Sequence, residues 1–134
     1  MLANELSLQT KHNITLVGGT ILPSTKSTLG SAAEEMLQTY HADFAIMSTA
    51  GVDLNFGFSE QVEGQSRIKR IMIANAATKI AMVDHSKFDR INLCHTCDIK
   101  DMDVIIYNGQ LNPEYPKKAP SVQWIDALGD HSEL

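Results

Sequence analysis

Cysteine is scarce in this sequence, which has only Cys94 and Cys97 among its 134 residues. Two cysteines do not make the disulfide framework of a small secreted domain, so the sequence fits a reducing compartment. Their Cys-x-x-Cys spacing is half of a zinc site, but no further cysteine exists and the other histidines are isolated. We therefore predict ordinary buried or half-buried thiols, and neither a metal nor another cofactor.

Long apolar runs are also missing from the sequence. No stretch approaches the roughly 20 apolar residues that cross a membrane, and the first residues carry no basic region typical of a signal peptide. We expect a cytoplasmic protein with no membrane contact. A chain of 134 residues is long enough for one domain with a core and too short for two.

Positive charge is in short supply, because 11 lysines and arginines face 16 aspartates and glutamates, for a net charge of −5. An acidic domain repels a phosphate backbone, which makes DNA an unfavourable partner. The charge is uneven, however, since positions 67–90 hold Asp84 and Asp89 against six basic residues: Arg67, Lys69, Arg70, Lys79, Lys87 and Arg90. A local basic region in an acidic protein suits a small anion better than DNA.

Two short apolar runs, at 44–47 and 80–83, organise the rest of the chain. Such runs, bounded by turn residues, indicate strands that are buried on both faces of a parallel sheet. A helical pattern at 63–78 lies between them, which predicts a strand-helix-strand unit. We also predict helices at 2–10 and 30–41, strands at 14–17, 103–107 and, at a sheet edge, 122–125, loops at 23–28 and 54–60, an irregular segment at 111–120, and a frayed tail after 129.

Polar residues follow the two strands of the predicted unit. Asp53 comes after the first strand, and Asp84, Ser86 and Lys87 come after the second. Because ligands bind outside the carboxyl ends of the strands in open α/β sheets, we expect these side chains to share one crevice. Asp53 and Asp84 suit sugar hydroxyls, and they suit the capping of turns equally well.

Other candidate residues also have two interpretations. Gly18 and Gly19 form either a tight turn or a loop that faces a ligand. Lys69, in the predicted helix, points its ammonium either into the crevice or towards a surface ion pair. Lys87 has a hydroxyl beside it at the end of a strand, so it suits a phosphate or sugar oxygen, although lone lysines are more often exposed to solvent.

Four motifs occur in a fixed order and spacing: Leu16-Val17-Gly18-Gly19-Thr20, Ala50-Gly51-Val52-Asp53, Ile68-Lys69-Arg70-Ile71-Met72-Ile73 and Val83-Asp84-His85-Ser86-Lys87-Phe88. In this succession the sequence resembles the C-terminal sensor domain of DeoR-type bacterial transcriptional regulators, over roughly residues 13–108. The resemblance implies an α/β fold with an open, mainly parallel sheet and helices on both faces, related to ribose-5-phosphate isomerase and the CoA transferases. It also implies a repressor domain that binds a sugar phosphate and regulates genes of carbohydrate metabolism.

Members of that family carry two features ahead of the matched region. One is a winged helix-turn-helix domain that binds DNA, and the other is a strand with an Asp-x-Gly-Thr-Thr loop that usually cradles the phosphate. Neither is present in this sequence, and the helix predicted at 2–10 starts without a cap. We therefore interpret residues 1–134 as a single, partial effector-sensing domain that reaches DNA only through the absent N-terminal domain. A sheet edge left without its first strand is commonly hidden by self-association, so we expect a homo-oligomer.

The resemblance, together with the motifs, places ligand contacts at Gly18, Gly19, Gly51, Asp53, Ser59, Lys69, Asp84, Ser86 and Lys87. Three substitutions fall within the match. Ser59 replaces a usual threonine and keeps the hydroxyl, Gln65 replaces a usual glutamate and removes a charge, and Asn108 replaces a common aspartate.

Two other functions stay open at this point. A sugar-phosphate isomerase-like enzyme would need a paired carboxylate and base at a recognisable spacing, which the sequence does not show. An oligomerisation-only remnant of a regulator, with an incomplete ligand site, is the second alternative. The sequence does not identify the effector in either the sensor or the enzyme interpretation.

Overall fold

The computed structural model of the chain describes residues 2–129. Its helices are α1 (Leu2–Gln9), α2 (Ser31–Gln38), α3 (Glu63–Ala74) and α4 (Glu114–Lys118). Its strands are β1 (Thr20–Leu22), β2 (Ser27–Leu29), β3 (Ala42–Met47), β4 (Gly51–Asp53), β5 (Gly57–Glu60), β6 (Ala76–Val83), β7 (Cys94–Cys97), β8 (Val104–Tyr107) and β9 (Gln123–Asp126). Short 3₁₀ helices cover His85–Lys87 and Ile99–Asp101. The tail predicted to fray, after residue 129, lies outside the described residues.

Four strands form a parallel sheet in the order β3-β6-β8-β9. Ile46 of β3 lies opposite Ile80 of β6, which in turn pairs with Val104 of β8. The predicted α/β fold with an open parallel sheet and flanking helices is therefore confirmed. The unit β3-α3-β6 is the predicted strand-helix-strand unit, and β9 is the predicted edge strand.

The chain between β3 and α3 is not the loop predicted at 54–60. Strands β4 and β5 pair antiparallel there, and β7 joins β5 to complete a three-stranded sheet. A strand of three residues such as β4 is too short to show an alternating pattern, so the sequence does not reveal it. Asp53 consequently ends a strand of this antiparallel sheet and does not follow a strand of the parallel sheet.

The strand predicted at 14–17 is wrong. Within the described chain, no strand occurs before β1, which pairs with β2 as a hairpin. Leu16 is 54% exposed, so this apolar run has no sheet face against which to pack. A strand also needs a neighbour for its backbone hydrogen bonds. Because β2 begins at Ser27, the loop predicted at 23–28 is shorter than expected.

The helices predicted at 2–10, 30–41 and 63–78 are present as α1, α2 and α3, but α2 and α3 end earlier than predicted, at Gln38 and Ala74. The amide of Asn75 bonds to Ile71 O at 3.0 Å and closes the helix. The following residues enter the parallel sheet, where Ala76 lies opposite Ala42. Strand pairing thus overrides the helical pattern after Asn75. Helix α4 lies inside the segment predicted to be irregular, with Pro116 in its first turn, where a missing N–H is tolerated.

One face of the parallel sheet carries the core, where Ile105 packs with Val52, Phe58, Met102 and Tyr115, all almost fully buried. The prediction that β3 and β6 are buried on both faces is wrong. On the other face Phe44, Ile46 and Met82 are 62%, 57% and 53% exposed.

In residues 2–129 no helix has the length and apolar content needed to span a bilayer.

Candidate functional site

A cavity of about 580 Å³ lies at the carboxyl ends of β3 and β6. These strands are parallel neighbours, so the segments that follow them, 48–50 and 84–92, meet at the same edge of the sheet. The β1–β2 turn and the first turns of α3 complete the wall. Its polar side chains are Ser24, Thr25, Ser27, Ser48, Thr49, Glu60, Gln61, Gln65, Lys69, Asp84, Lys87, Arg90 and Asn92. A cavity therefore lies where the two strands end, and of the four side chains expected to share it, Asp84 and Lys87 line it while Asp53 and Ser86 do not.

Glu60 and Lys69 form a buried ion pair in this wall. Their side chains are 4% and 17% exposed, and the Lys69 ammonium donates to Glu60 Oε1. It also donates to Ser48 O at 2.7 Å. The fold thus balances the Lys69 charge, so Lys69 is not a free cation for a ligand. Lys69 thus lines the crevice and forms an ion pair at the same time, and this pair is buried, whereas the sequence suggested a pair on the surface.

Asp84 caps the short helix that follows β6. Its Oδ1 accepts a hydrogen bond from the amide N of Ser86 at 2.9 Å, and its Oδ2 accepts one from Asn108 Nδ2 at 3.3 Å. Hydrogen bonds from the side chain and backbone of Ser86, and then from Asn108, lower the pKa of Asp84 from 3.8 to about 2. Asp84 is therefore ionised throughout the neutral range, and it both caps a turn and lines the cavity.

Lys87 and Arg90 are the cations of the cavity without a partner in the fold. Among residues 2–129, neither side chain makes an ion pair or a hydrogen bond, whereas Lys69 is paired. Lys87 is half-buried and Arg90 is exposed. Arginine offers a planar fork of donors and lysine a compact point charge, and both suit the oxygens of a phosphate. The cavity edge after β6 is therefore a candidate anion site.

The β1–β2 hairpin contributes hydroxyls to the cavity wall, and Gln65 of α3 holds them in place. Gln65 Nε2 donates to Thr25 Oγ1 at 3.1 Å and to Ser27 Oγ at 3.3 Å. The two hydroxyl oxygens lie 2.5 Å apart and share a hydrogen bond. Because an amide nitrogen supplies two protons, Gln65 donates a hydrogen bond to each hydroxyl oxygen. The hydroxyls therefore keep their own protons, which they can donate in turn. This wall is neutral and suits the hydroxyls of a sugar.

Of the predicted ligand residues, the structure brings Lys69, Asp84 and Lys87 to the cavity. It places six outside the wall: Gly18, Gly19, Gly51, Asp53, Ser59 and Ser86. For all nine residues, ligand contact stays a prediction. Asp53 and Ser59 have partners within the fold, since Asp53 Oδ2 accepts from the amide N of Phe56 at 2.8 Å and Ser59 Oγ accepts from that of Asn92 at 2.9 Å.

Two of the predicted glycines stand where the chain packs closely. A Cβ on Gly51 would lie 2.6 Å from Arg90 O, so only glycine lets the segment after β6 approach β4. Gly19 has φ of 147°, and a Cβ there would lie 2.5 Å from Leu29 O. The tight-turn interpretation fits Gly19, because both its backbone angle and its packing require glycine.

Several wall residues were not among the predicted ligand contacts, including Thr25, Ser27, Glu60 and Gln65, although the sequence did show Gln65 in place of a usual glutamate. The contacts of Gln65 with the hairpin join positions 38 and 40 residues apart, which no local pattern reveals. Arg90 belongs to the basic stretch at 67–90 and follows β6. These two features together would have predicted that it lines the cavity.

The cysteines lie apart from the cavity wall. Cys94 is half-buried and Cys97 is buried, as predicted for ordinary thiols. Burial raises the pKa of the Cys97 thiol to about 12, so it stays protonated at neutral pH. Among the described residues, no group of three or more His, Cys, Asp or Glu side chains is arranged to hold a metal ion.

Known proteins resemble this chain over most of its length. An uncharacterised HTH-type transcriptional regulator of Bacillus subtilis (strain 168) is 32% identical, over 81% of this chain and 43% of the relative. A putative aga operon transcriptional repressor of Escherichia coli O157:H7 is 33% identical, over 78% and 39%. The glycerol-3-phosphate regulon repressor of Escherichia coli (strain K12) is 27% identical, over 96% and 48%. The chain thus spans less than half the length of these curated relatives.

A family model described as the DeoR C terminal sensor domain matches residues 1–109. That range contains the four motifs that carry the resemblance, as well as the strands β3 and β6 that position the cavity. Helix α4 and strand β9 follow the matched region. The chain belongs to the DeoR family of transcriptional regulators, and its matched part corresponds to their C-terminal sensor domain.

Proposed function

We propose that this chain senses a small sugar phosphate, and that the bound ligand controls a DeoR-type repressor of carbohydrate genes. The observation that carries this proposal is the pair of unpartnered cations, Lys87 and Arg90, in a cavity whose wall also presents the hydroxyls of Thr25 and Ser27. The cations suit the phosphate group, and the hydroxyl wall suits the sugar. A cavity of about 580 Å³ is of the size that ligand pockets usually have.

The name of one relative supports a phosphorylated ligand, because that relative is the repressor of the glycerol-3-phosphate regulon. We propose that this chain reaches DNA through an N-terminal helix-turn-helix domain of the kind its HTH-type relatives carry, and that residues 1–134 alone bind no specific DNA sequence. Their net charge of −5 is unfavourable for such binding.

A sensor fits the site better than an enzyme does. Glu60 is held in its pair with Lys69, and the lowered pKa of Asp84, at about 2, makes this carboxylate a weak base. A useful general base has a pKa close to the working pH. We therefore propose binding without turnover. We also propose that the chain self-associates through the open face that carries Phe44 and Ile46.

Titration calorimetry with a panel of sugar phosphates, each beside its unphosphorylated sugar, tests the proposed function. Saturable binding of a sugar phosphate, with much weaker binding of the free sugar and no product formed, is the expected result. Turnover of any member would make the chain an enzyme. Binding of no member would favour the oligomerisation-only alternative. A gel shift at physiological salt that saturates on one DNA sequence would contradict the proposal about DNA.

A further inference from the structure

Tyr115 lies against the segment 84–90, which carries the cations of the candidate site. It belongs to α4 and its side chain is fully buried. Its hydroxyl lies 2.7 Å from Asp89 Oδ1 and accepts a hydrogen bond from the amide N of Asp89 at 3.1 Å. It also lies 3.3 Å from Val52 O. One hydroxyl therefore holds both the backbone and the side chain of Asp89.

Asp89 needs such support because its backbone is unusual. Its φ is 57°, in the left-handed region that residues other than glycine seldom adopt, although aspartate tolerates it better than most. Asp89 directly precedes Arg90 and follows Lys87 by two positions. The backbone conformation at Asp89 therefore determines where Arg90 lies relative to Lys87.

The segment has a separate anchor at its other end. There the amide of Lys87 bonds to Asp84 O at 2.9 Å, and Asn108 holds Asp84. At the Tyr115 end, the amide of Arg90 bonds to Val52 O at 3.3 Å. If the Tyr115 hydroxyl were removed, the amide of Asp89 would lose its partner. Within the described chain, the bond from Arg90 to Val52 would then be the one that still holds the backbone amides of residues 89–90.

The chemistry of Tyr115 suits a permanent anchor. Burial raises the pKa of Tyr115, and the hydrogen bond to Asp89 raises it further, so the phenol stays protonated and able to donate at neutral pH. Its ring packs edge-on against Phe88, with centroids 5.1 Å apart, so the ring and the hydroxyl are each held by a contact of their own. Tyr115 lies beyond the residues 1–109 that match the family model.

Building on the proposed anion site, we propose that Tyr115 is a positioning residue of that site. Through Asp89, its hydroxyl holds Lys87 and Arg90 where both contact one phosphate group. Tyr115 itself does not touch the ligand.

Tyr115→Phe tests this role because it removes the hydroxyl and keeps the buried ring. The probes are inorganic phosphate and the sugar phosphates of the panel, titrated well below the melting temperature of every variant. We expect the dissociation constant to rise about tenfold, the effect of losing roughly one hydrogen bond. Asp89→Asn keeps the Oδ1 acceptor and tolerates the left-handed conformation, so it should lose less affinity than Asp89→Ala, which removes the same charge. Asp89→Ala should resemble Tyr115→Phe.

Val122→Ala is the control for a purely structural effect. Val122 is buried in the same core as Tyr115, so its truncation should lower the melting temperature and leave the dissociation constant unchanged. The ligand-free state gives a second readout, since Tyr115→Phe should shift or broaden the backbone NMR signals of residues 87–90 and Val122→Ala should not.

The outcomes separate this inference from the proposed function. Equal dissociation constants for wild type and Tyr115→Phe would overturn the positioning role and leave the sensor proposal standing. An equal loss of affinity in Val122→Ala would overturn it too, because the effect would then be one of stability. If wild type binds no probe, the sensor proposal fails, and the role of Tyr115 in phosphate binding fails with it.

Discussion

The side-chain amide of Asn108 bridges Asp84 and the helix that Asp84 caps. Its Nδ2 donates to Asp84 Oδ2 at 3.3 Å, and its Oδ1 accepts from the amide N of His85 at 2.7 Å. An asparagine can do both, because its side chain has a donor and an acceptor. An aspartate, common at this position in the family that the sequence resembles, would place a second negative charge beside Asp84. Asn108 therefore stabilises the ionised form of Asp84 in this chain, which a second carboxylate would destabilise.

Asn108→Asp should raise the pKa of Asp84 from its value of about 2, since it replaces a donor by a like charge. A lowered carboxyl pKa stabilises the fold above the ordinary pKa of 3.8, and the stabilisation is lost as the pH falls towards 2. In the variant the stabilisation should be smaller, and its loss should be complete at a higher pH. An NMR titration of the Asp84 carboxyl carbon measures the change directly.

Asn112→Asp is a matched control for this prediction. Asn112 also accepts a backbone hydrogen bond, from the amide N of Glu114 at 3.0 Å, but it lies away from Asp84. The Asp84 titration should be the same in this variant as in wild type. An unchanged midpoint in Asn108→Asp would show that Asn108 does not set the Asp84 pKa.

Lys87→Ala and Arg90→Ala should each weaken phosphate binding and barely change the ligand-free melting temperature. Both side chains lack partners in the described fold, so their truncation costs little stability. In wild type, a sugar phosphate at ~100 times its dissociation constant should stabilise the fold by about 2.7 kcal/mol, a melting shift of several degrees. Lys87→Ala should abolish that shift, as thermal unfolding with and without ligand will show.

Lys100→Ala is the control for loss of positive charge, because Lys100 is exposed and lies outside the cavity wall. It should keep the full ligand-induced shift. If saturating ligand shifts wild type and Lys87→Ala equally, Lys87 is not the anion contact. If Lys87→Ala unfolds the protein, the role of Lys87 is structural.

The sequence predicted the part of the site that follows long strands. Asp84 and Lys87 come after an eight-residue strand with a clear apolar run, so their place at the sheet edge was accessible to pattern reasoning. The position predicted for Asp53 was wrong because Asp53 ends a strand of three residues. So short a strand shows no periodic pattern that would distinguish it from a turn after a strand of the parallel sheet. The open face at Phe44 was also missed, since an apolar run predicts a buried strand whether or not a neighbour covers it.

Lys69→Met should destabilise the fold by about 3 to 5 kcal/mol, because it leaves the Glu60 carboxylate buried without its partner. Adding Glu60→Gln should recover much of this loss, since the double variant has no uncompensated buried charge. Urea unfolding of the four proteins measures the free energies as a double-mutant cycle. If Lys69→Met and wild type unfold at the same urea concentration, the pair does not stabilise the fold.

The chain should form a dimer or a higher oligomer at tens of micromolar. Phe44 and Ile46 are more than half exposed on the open face, and among the described strands β3 pairs on one side only. The double variant Phe44→Ser, Ile46→Ser should be shifted towards monomer in sedimentation velocity. Leu128→Ser is the control, since Leu128 is also exposed but lies elsewhere. A wild-type chain that sediments as a clean monomer would contradict this prediction.

Gln65→Glu should weaken phosphate binding while the hairpin stays in place. A carboxylate at position 65 must accept protons from Thr25 and Ser27, which breaks the hydrogen bond that these two hydroxyls now share and leaves fewer protons for a ligand. It also adds a negative charge to the cavity wall. We expect the dissociation constant of inorganic phosphate to rise about five- to tenfold at low salt, and the charge-dependent part of that rise to shrink as salt screens it. Calorimetric titrations at two ionic strengths measure both effects, with exposed Gln110→Glu as the control for net charge. Equal affinities of Gln65→Glu and Gln110→Glu would show that position 65 has no special place in the site, because both variants carry the same added charge and only one of them lines the cavity.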